Sequence, residues 1–163
     1  MQDKQSYLKA AIDSFQSGNL ALSESTLLEA IKLWPDDALI YSHLGVVLKA
    51  ASKYEQALKM CLRAIELDPA LSTPYYTRGN IFRSVSKHDQ AVLEFAQCIQ
   101  REPLHADAHM NMGLSYRELG KNSEAIASLR NAVQAKPQYA MAHCNLALAL
   151  QAQGKLEEAL EFY

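Results

Sequence analysis

Two histidines four residues apart, His105 and His109, stand near Glu102 and form the nearest approach to a metal-ligand group in the sequence. A helix can present such a pair on one face, but structural zinc needs four well-placed ligands. The three cysteines, Cys61, Cys98 and Cys144, are scattered and form no CxxC, so they supply no ready zinc or redox pair. Cys144 is a nucleophile by type, yet nothing in the sequence places a base beside it. The phosphate-cradling GxxxxGK[ST] loop, the GxGxxG turn, the GxSxG elbow and the HExxH zinc helix are all absent. The expectation is no catalytic residue, no metal and no cofactor.

What positions these side chains is a period. Pro35, Pro69, Pro103 and Pro137 follow one another at intervals of 34 residues. Other columns keep the same register. Small residues recur at Ala11, Gly45, Gly79, Gly113 and Ala147, and again at Ser23, Ala57, Ala91, Ala125 and Ala159. A third small column, Ala30, Ala64, Cys98 and Ala132, precedes the β-branched residues Ile31, Ile65, Ile99 and Val133. A ring stands at Tyr7, Tyr41, Tyr75, His109 and His143, which gives His109 a packing reason. Turn residues align at Gly18, Ser52, Ser86, Gly120 and Gly154. A fixed period of this length marks a stacked array of helical repeats.

Each repeat divides into two amphipathic helices. In the second repeat the spacing of Leu44, Val47 and Leu48 predicts a helix over 38–51. Leu58, Cys61, Leu62 and Ile65 predict another over 54–67, and Asp68-Pro69 ends it because proline cannot continue the hydrogen-bond ladder. Cys61 shares its column with Leu27, Phe95 and Leu129 and reads as a core residue. The Gly and Ala columns let helix axes approach closely. Pro74 follows Ser72-Thr73 and reads as the first residue of a helix behind its N-cap.

These columns resemble those of tetratricopeptide repeat (TPR) proteins. The match spans nearly the whole chain as repeats 4–37, 38–71, 72–105 and 106–139 with a partial fifth at 140–163, read as a single domain over 1–163. The first repeat is the most polar, with Ser14 and Glu24 in columns that are apolar later, as a capping repeat requires. The resemblance implies an all-α, right-handed superhelical solenoid whose first helices line a concave groove for an extended peptide. Four ladders would then face the groove. One is Lys9, His43, Thr77, Asn111 and Asn145; a second is Phe15, Lys49, Arg83, Arg117 and Gln151. Leu8, Ser42, Tyr76, Met110 and Cys144 form a third, and Ile12, Val46, Asn80, Leu114 and Leu148 a fourth. The expected ligand-binding residues are His43, Lys49, Tyr76, Thr77, Asn80, Arg83, Asn111, Arg117 and Asn145. Their amides suit an extended backbone, and their cations give a mild positive field for an acidic ligand. A second reading of Lys49, Arg83 and Arg117 stays open: they are solvated ends of helices, where cations are favoured anyway.

Two TPR subfamilies can be compared. The clamp for acidic chaperone tails finds Asn80 and Asn111 here, but Tyr76, Met141 and Asn145 replace its basic residues. The stretches 106–113 and 142–147 are similar to the TPR arm of O-linked N-acetylglucosamine transferases, which makes the arm of a larger enzyme the alternative function.

The remaining figures agree with a protein-binding scaffold. Of 163 residues, 49% are apolar and 21% charged, as in folded domains. A net charge of −2 argues against nucleic-acid binding, which needs an excess of Lys and Arg. No apolar run approaches the roughly 20 residues of a membrane span, and no secretory leader opens the sequence, so a cytoplasmic protein is expected. Leu156, Leu160 and Tyr163 form an apolar stripe on the last helix. That open end implies a fragment of a longer protein, or end-to-end self-association.

Overall fold

The turn column decides where each first helix stops. Gly18, Ser52, Ser86, Gly120 and Gly154 all adopt left-handed backbone, with φ of 81°, 59°, 57°, 72° and 76°. This conformation lets the next N–H turn back onto a carbonyl five residues earlier. Asn19 N–H donates to the Ser14 carbonyl (2.9 Å), Lys53 to Leu48 (2.9 Å), Lys87 to Phe82 (2.8 Å), Lys121 to Tyr116 (2.9 Å) and Lys155 to Leu150 (3.0 Å). Glycine meets the conformation at little cost, and the two serines carry the strain of a side chain in the left-handed region.

The computed structural model describes residues 3–160 and residue 162. The described residues form ten helices and no strand: α1 Lys4–Gln16, α2 Leu20–Leu33, α3 Ala38–Ala50, α4 Tyr54–Leu67, α5 Thr73–Ser84, α6 His88–Arg101, α7 Ala106–Glu118, α8 Asn122–Ala135, α9 Ala140–Ala152 and α10 Leu156–Leu160. The fold class is all-α, built of helix-turn-helix repeats. The two helices expected at 38–51 and 54–67 are α3 and α4, the first one residue shorter. Pro74 lies one residue inside α5 rather than at its start, still within the first turn, where its missing N–H has no helical partner to lose. Side-chain caps open three of the first helices. Asp3 accepts from Ser6 N–H, Asp37 from the Leu39 and Ile40 N–H groups, and His105 Nδ1 from Ala108 N–H. No helix among the described residues is long and apolar enough to cross a membrane.

The chain divides into two compact units, Met1–Ile81 and Phe82–Tyr163. In the N-terminal unit α2 packs between α1 and α3, and α3 also packs on α4. Its core holds Ala11, Leu27, Ala30, Ile40, Leu44, Val47, Leu48 and Ala57, all buried, with Tyr7 set edge-on to Trp34 at 5.6 Å. Gly45 sits hard against α4: a Cβ there would lie 2.6 Å from Cys61 Sγ. Ser23 keeps its place in a buried small column because its hydroxyl donates to the Ala11 carbonyl (2.8 Å).

In the C-terminal unit α7 packs on α6 and α8, and α9 on α8 and α10. Leu129, Ala132, Ala142, Leu146 and Leu150 are fully buried. Each such leucine contributes about 1.5–3 kcal/mol by leaving water. Gly113 repeats the close approach of Gly45, with a Cβ there 2.8 Å from Leu129 Cγ. The short α10 is docked through Ala159, which is buried, and through an ion pair between Arg130 and Glu158. Leu156 and Leu160 are exposed, and Tyr163, the third residue of the stripe, lies outside the described residues.

Candidate functional site

The side chains with chemical potential are mostly spent on the fold. His109 Nε2 lies 2.9 Å from the Pro103 carbonyl oxygen, and His143 Nε2 lies 2.7 Å from that of Pro137. A carbonyl only accepts, so each Nε2 donates, and the ring fastens its helix to the proline turn before it. His105 caps α7 through Nδ1. The pair therefore faces two backbone partners, and no group of three His, Cys, Asp or Glu among the described residues can hold a metal. Burial, helped by Glu102, pushes the Cys98 thiol up to about 12 against the pull of Arg101, so it is not a thiolate near neutrality. Cys61 is buried, whereas Cys144 is exposed on α9.

In the N-terminal unit, α3 carries His43 and Lys49, both half-buried. Burial lowers the His43 pKa from its ordinary value, and the charge of Asp37 opposes this in part. On α5, Tyr76 is half-buried, while Thr77 is only 3% exposed and Asn80 8%. The Asn80 amide donates to the Tyr76 carbonyl one turn back (3.0 Å). Beside His43 a cavity of about 40 Å3 opens, lined by Ala11, Ile12 and Phe15 of α1, Ser23 and Leu27 of α2, and Val46 and Val47 of α3.

In the C-terminal unit, Arg83 in the last turn of α5 is half-buried, and its Nε is buried without a hydrogen-bond partner among the described residues. Asn111 on α7 is 5% exposed, and α9 also touches α7. Arg117 is half-buried in the last turn of α7, 3.7 Å from the Glu118 carboxylate, too far for a strong hydrogen bond. Asn145 on α9 is half-buried and donates to the Met141 carbonyl (2.8 Å), using one of its two N–H groups. Around it Met141, Cys144 and Leu148 are exposed.

The fourth ladder already places Ile12, Val46, Leu114 and Leu148 on this face, but the expected ligand-binding residues include none of its apolar members, and Leu39 and Met141 stand in no ladder. Ile12, Val46, Leu114 and Leu148 share one column, and Leu39 and Met141 share another. Leu39, Met141 and Leu148 are exposed, and Ile12, Val46 and Leu114 are half-buried. The signal that could have found them is the period itself: apolar residues that recur at one register position without being fully buried have something other than the core to touch, although Asn80 interrupts the first column and Thr73 and Asp107 the second.

Comparison with known proteins agrees with this geometry. Residues 38–71 match the family model described as Tetratricopeptide repeat, and residues 113–154 match the one described as TPR repeat. A search of curated protein sequences finds no match. Among solved structures, MamA from Desulfovibrio magneticus RS-1 is similar at a TM-score of 0.83 and 19% identity, over 99% of this chain and 92% of that one. TTC0263, a thermophilic TPR protein of Thermus thermophilus, superposes at 0.80 with 20% identity, over 99% and 88%. PilF of Pseudomonas aeruginosa superposes at 0.91 with 17% identity, over 98% and 73%. With its columns, left-handed turns and close helix crossings all in one register, the chain carries tetratricopeptide repeats.

Proposed function

We propose that this protein is a non-catalytic interaction scaffold that holds an extended segment of a partner protein against the first helices of its repeats. The observation that carries this reading is the composition of that face in each unit. Apolar side chains reach solvent there beside amides and cations: Leu39 with His43 and Lys49 in one unit, Met141 and Leu148 with Asn145 in the other. An extended chain offers alternating side chains and unpaired backbone groups, and this surface answers both. The cations Lys49, Arg83 and Arg117 favour a partner segment with acidic residues. A scaffold role also fits the engagement of His105 and His109 by backbone groups and the buried, unreactive thiol of Cys98. Buried free thiols suit a reducing compartment such as the cytoplasm.

The test is affinity capture with the intact protein, followed by titration of the recovered partner against variants. Asn145→Ala with Leu148→Asp should weaken binding at least ten-fold, and Lys59→Glu at an exposed position of α4 should leave it unchanged. A hydrogen bond to the bound chain is worth about 0.5–1.5 kcal/mol net and an apolar contact at least as much, which supports that size. Equal loss from both variants, or none from the first, would overturn the assignment of the binding face.

A further inference from the structure

The cavity between α1 and α3 breaks the pattern of its own columns. The second ladder carries cations in three successive repeats, at Lys49, Arg83 and Arg117, but it carries Phe15 on α1. The first ladder carries Thr77, Asn111 and Asn145 in the later repeats, but His43 on α3. Where a cation and an amide would stand, this pair of helices has an aromatic ring and a half-buried imidazole. With Ile12, Val46 and Val47 they enclose a cavity of about 40 Å3. It reaches down to Leu27 on α2, and the Ser23 hydroxyl at its floor is already bonded to the Ala11 carbonyl. The one donor proton at the floor is therefore spent, and the rest of the floor is apolar.

We infer that this cavity is an anchor pocket for one branched aliphatic side chain, Val, Leu or Ile, of a peptide with an acidic residue beside it. The inference rests on the peptide-binding reading above and names the residue class that its N-terminal unit selects. Volume decides the class. A water needs roughly 10–15 Å3 by this measure, and a cavity of about 150 Å3 holds a benzene ring. About 40 Å3 thus admits one or two methyl groups and excludes an aromatic ring. Charge decides the flank. Lys9 stands one turn before Ile12 on α1 and Lys49 one turn after Val46 on α3; neither has an ion-pair partner among the described residues, and Asp13 is the counter-charge beside Ile12. Lys4 and Asp37 neutralise each other at 2.6 Å. A carboxylate next to the anchoring residue therefore meets a net positive rim.

The experiment is methyl-resolved NMR on the full chain, titrated with the blocked tripeptide acetyl-Glu-Leu-Glu-amide. Saturable shifts are expected at the methyls of Ile12, Leu27, Val46 and Val47. Replacing the central Leu by Ala or by Trp should weaken the midpoint about ten-fold or more, and replacing both Glu by Lys should weaken it several-fold. Two variants act on the pocket from its half-buried rim: Val46→Phe fills it, and Phe15→Lys restores the cation of the ladder. Both should abolish the pocket shifts while far-UV circular dichroism stays that of wild type. Shifts equal for Leu and Ala peptides, shifts confined to the methyls of Leu114, Leu148 and Met141, or no saturable shift at the four pocket residues would each overturn the pocket. The second of these would leave the scaffold reading standing with a different anchor; failure of the Asn145 and Leu148 test alone would remove that reading's binding face and not the pocket.

Discussion

Gly113→Ala separates packing from helix propensity, because the two effects have opposite signs. In an isolated helix the change should stabilise by about 1 kcal/mol. In this fold the new Cβ would lie 2.8 Å from Leu129 Cγ, 3.2 Å from Leu129 Cδ2 and 3.1 Å from the Ala125 carbonyl oxygen. Ordinary contact begins near 3.4 Å, so the leucine must retreat by about 0.6 Å. Leu129 is fully buried and has nowhere to swing, and the Ala125 oxygen is backbone on a regular helix. Overpacking of this kind costs about 1–3 kcal/mol. The net expectation is a destabilisation of up to about 2 kcal/mol for Ala, and a larger one for Gly113→Leu, whose added carbons enter the same contact.

The decisive measurement is a double-mutant cycle followed by urea denaturation. Leu129→Ala alone should cost about 2–5 kcal/mol through the cavity it leaves. In that background the two Leu129 contacts are gone and only the 3.1 Å approach to the Ala125 oxygen remains, so Gly113→Ala should lie between neutral and a stabilisation of about 1 kcal/mol. The cost of the same substitution thus falls away with the residue across the interface. A Gly113→Ala protein more stable than wild type, or a Gly113→Leu midpoint equal to wild type, would refute the claim that the crossing of α7 and α8 requires glycine.

The other expectations are local. Ser52→Gly removes a side chain from a backbone at φ 59° and should stabilise by about 0.5–1 kcal/mol, the relief of left-handed strain exceeding the added freedom of the unfolded chain; a lower denaturant midpoint would count against it. Acid should weaken the N-terminal unit in two steps. Burial holds His43 below its ordinary 6.5, so its contribution is complete above that value and is lost as pH falls toward the folded pKa, and His43→Gln should flatten the slope there. Burial alone would raise Asp37, but the Lys4 ammonium and the Ile40 and Leu39 N–H groups outweigh it and hold the carboxyl below 3.8; its contribution is present above 3.8 and disappears as pH falls through the folded pKa, and Asp37→Asn should flatten that lower step. Denaturant midpoints against pH would read both, and a wild-type profile in either variant would reject the corresponding step.

Most of the fold was legible because it is written in columns. The prolines, the left-handed turn residues and the small residues each do one mechanical task, and the task repeats every 34 residues. Where a column changes residue type, the structure shows a local substitute. Ser52 and Ser86 take the glycine conformation, Ser23 enters an alanine column by bonding the Ala11 carbonyl, and His109 and His143 enter a tyrosine column by bonding proline carbonyls. Helix α5 begins one residue earlier than the sequence places it, since proline is tolerated throughout the first turn and marks a helix start only to within a residue or two.

The site was less legible, for a physical reason. Polarity in a ladder says which side chains avoid the core, not which remain open to a ligand. Thr77, Asn80 and Asn111 are polar and nearly enclosed, and the Asn80 amide is turned onto its own helix. Leu39, Met141 and Leu148 are apolar and open. Selection for a repeat fold makes columns uniform, so uniformity reports on packing. Selection for one ligand has no reason to act alike on every repeat, and it surfaces where a column departs from its own rule beside an open cavity. Phe15 and His43 are such departures. No backbone partner among the described residues explains His43 as Pro103 explains His109, and Phe15, though packed against the core, lines the same cavity as His43. In a repeat protein the exceptions to the period are therefore the better guide to what is bound, and the period is the better guide to what binds it together.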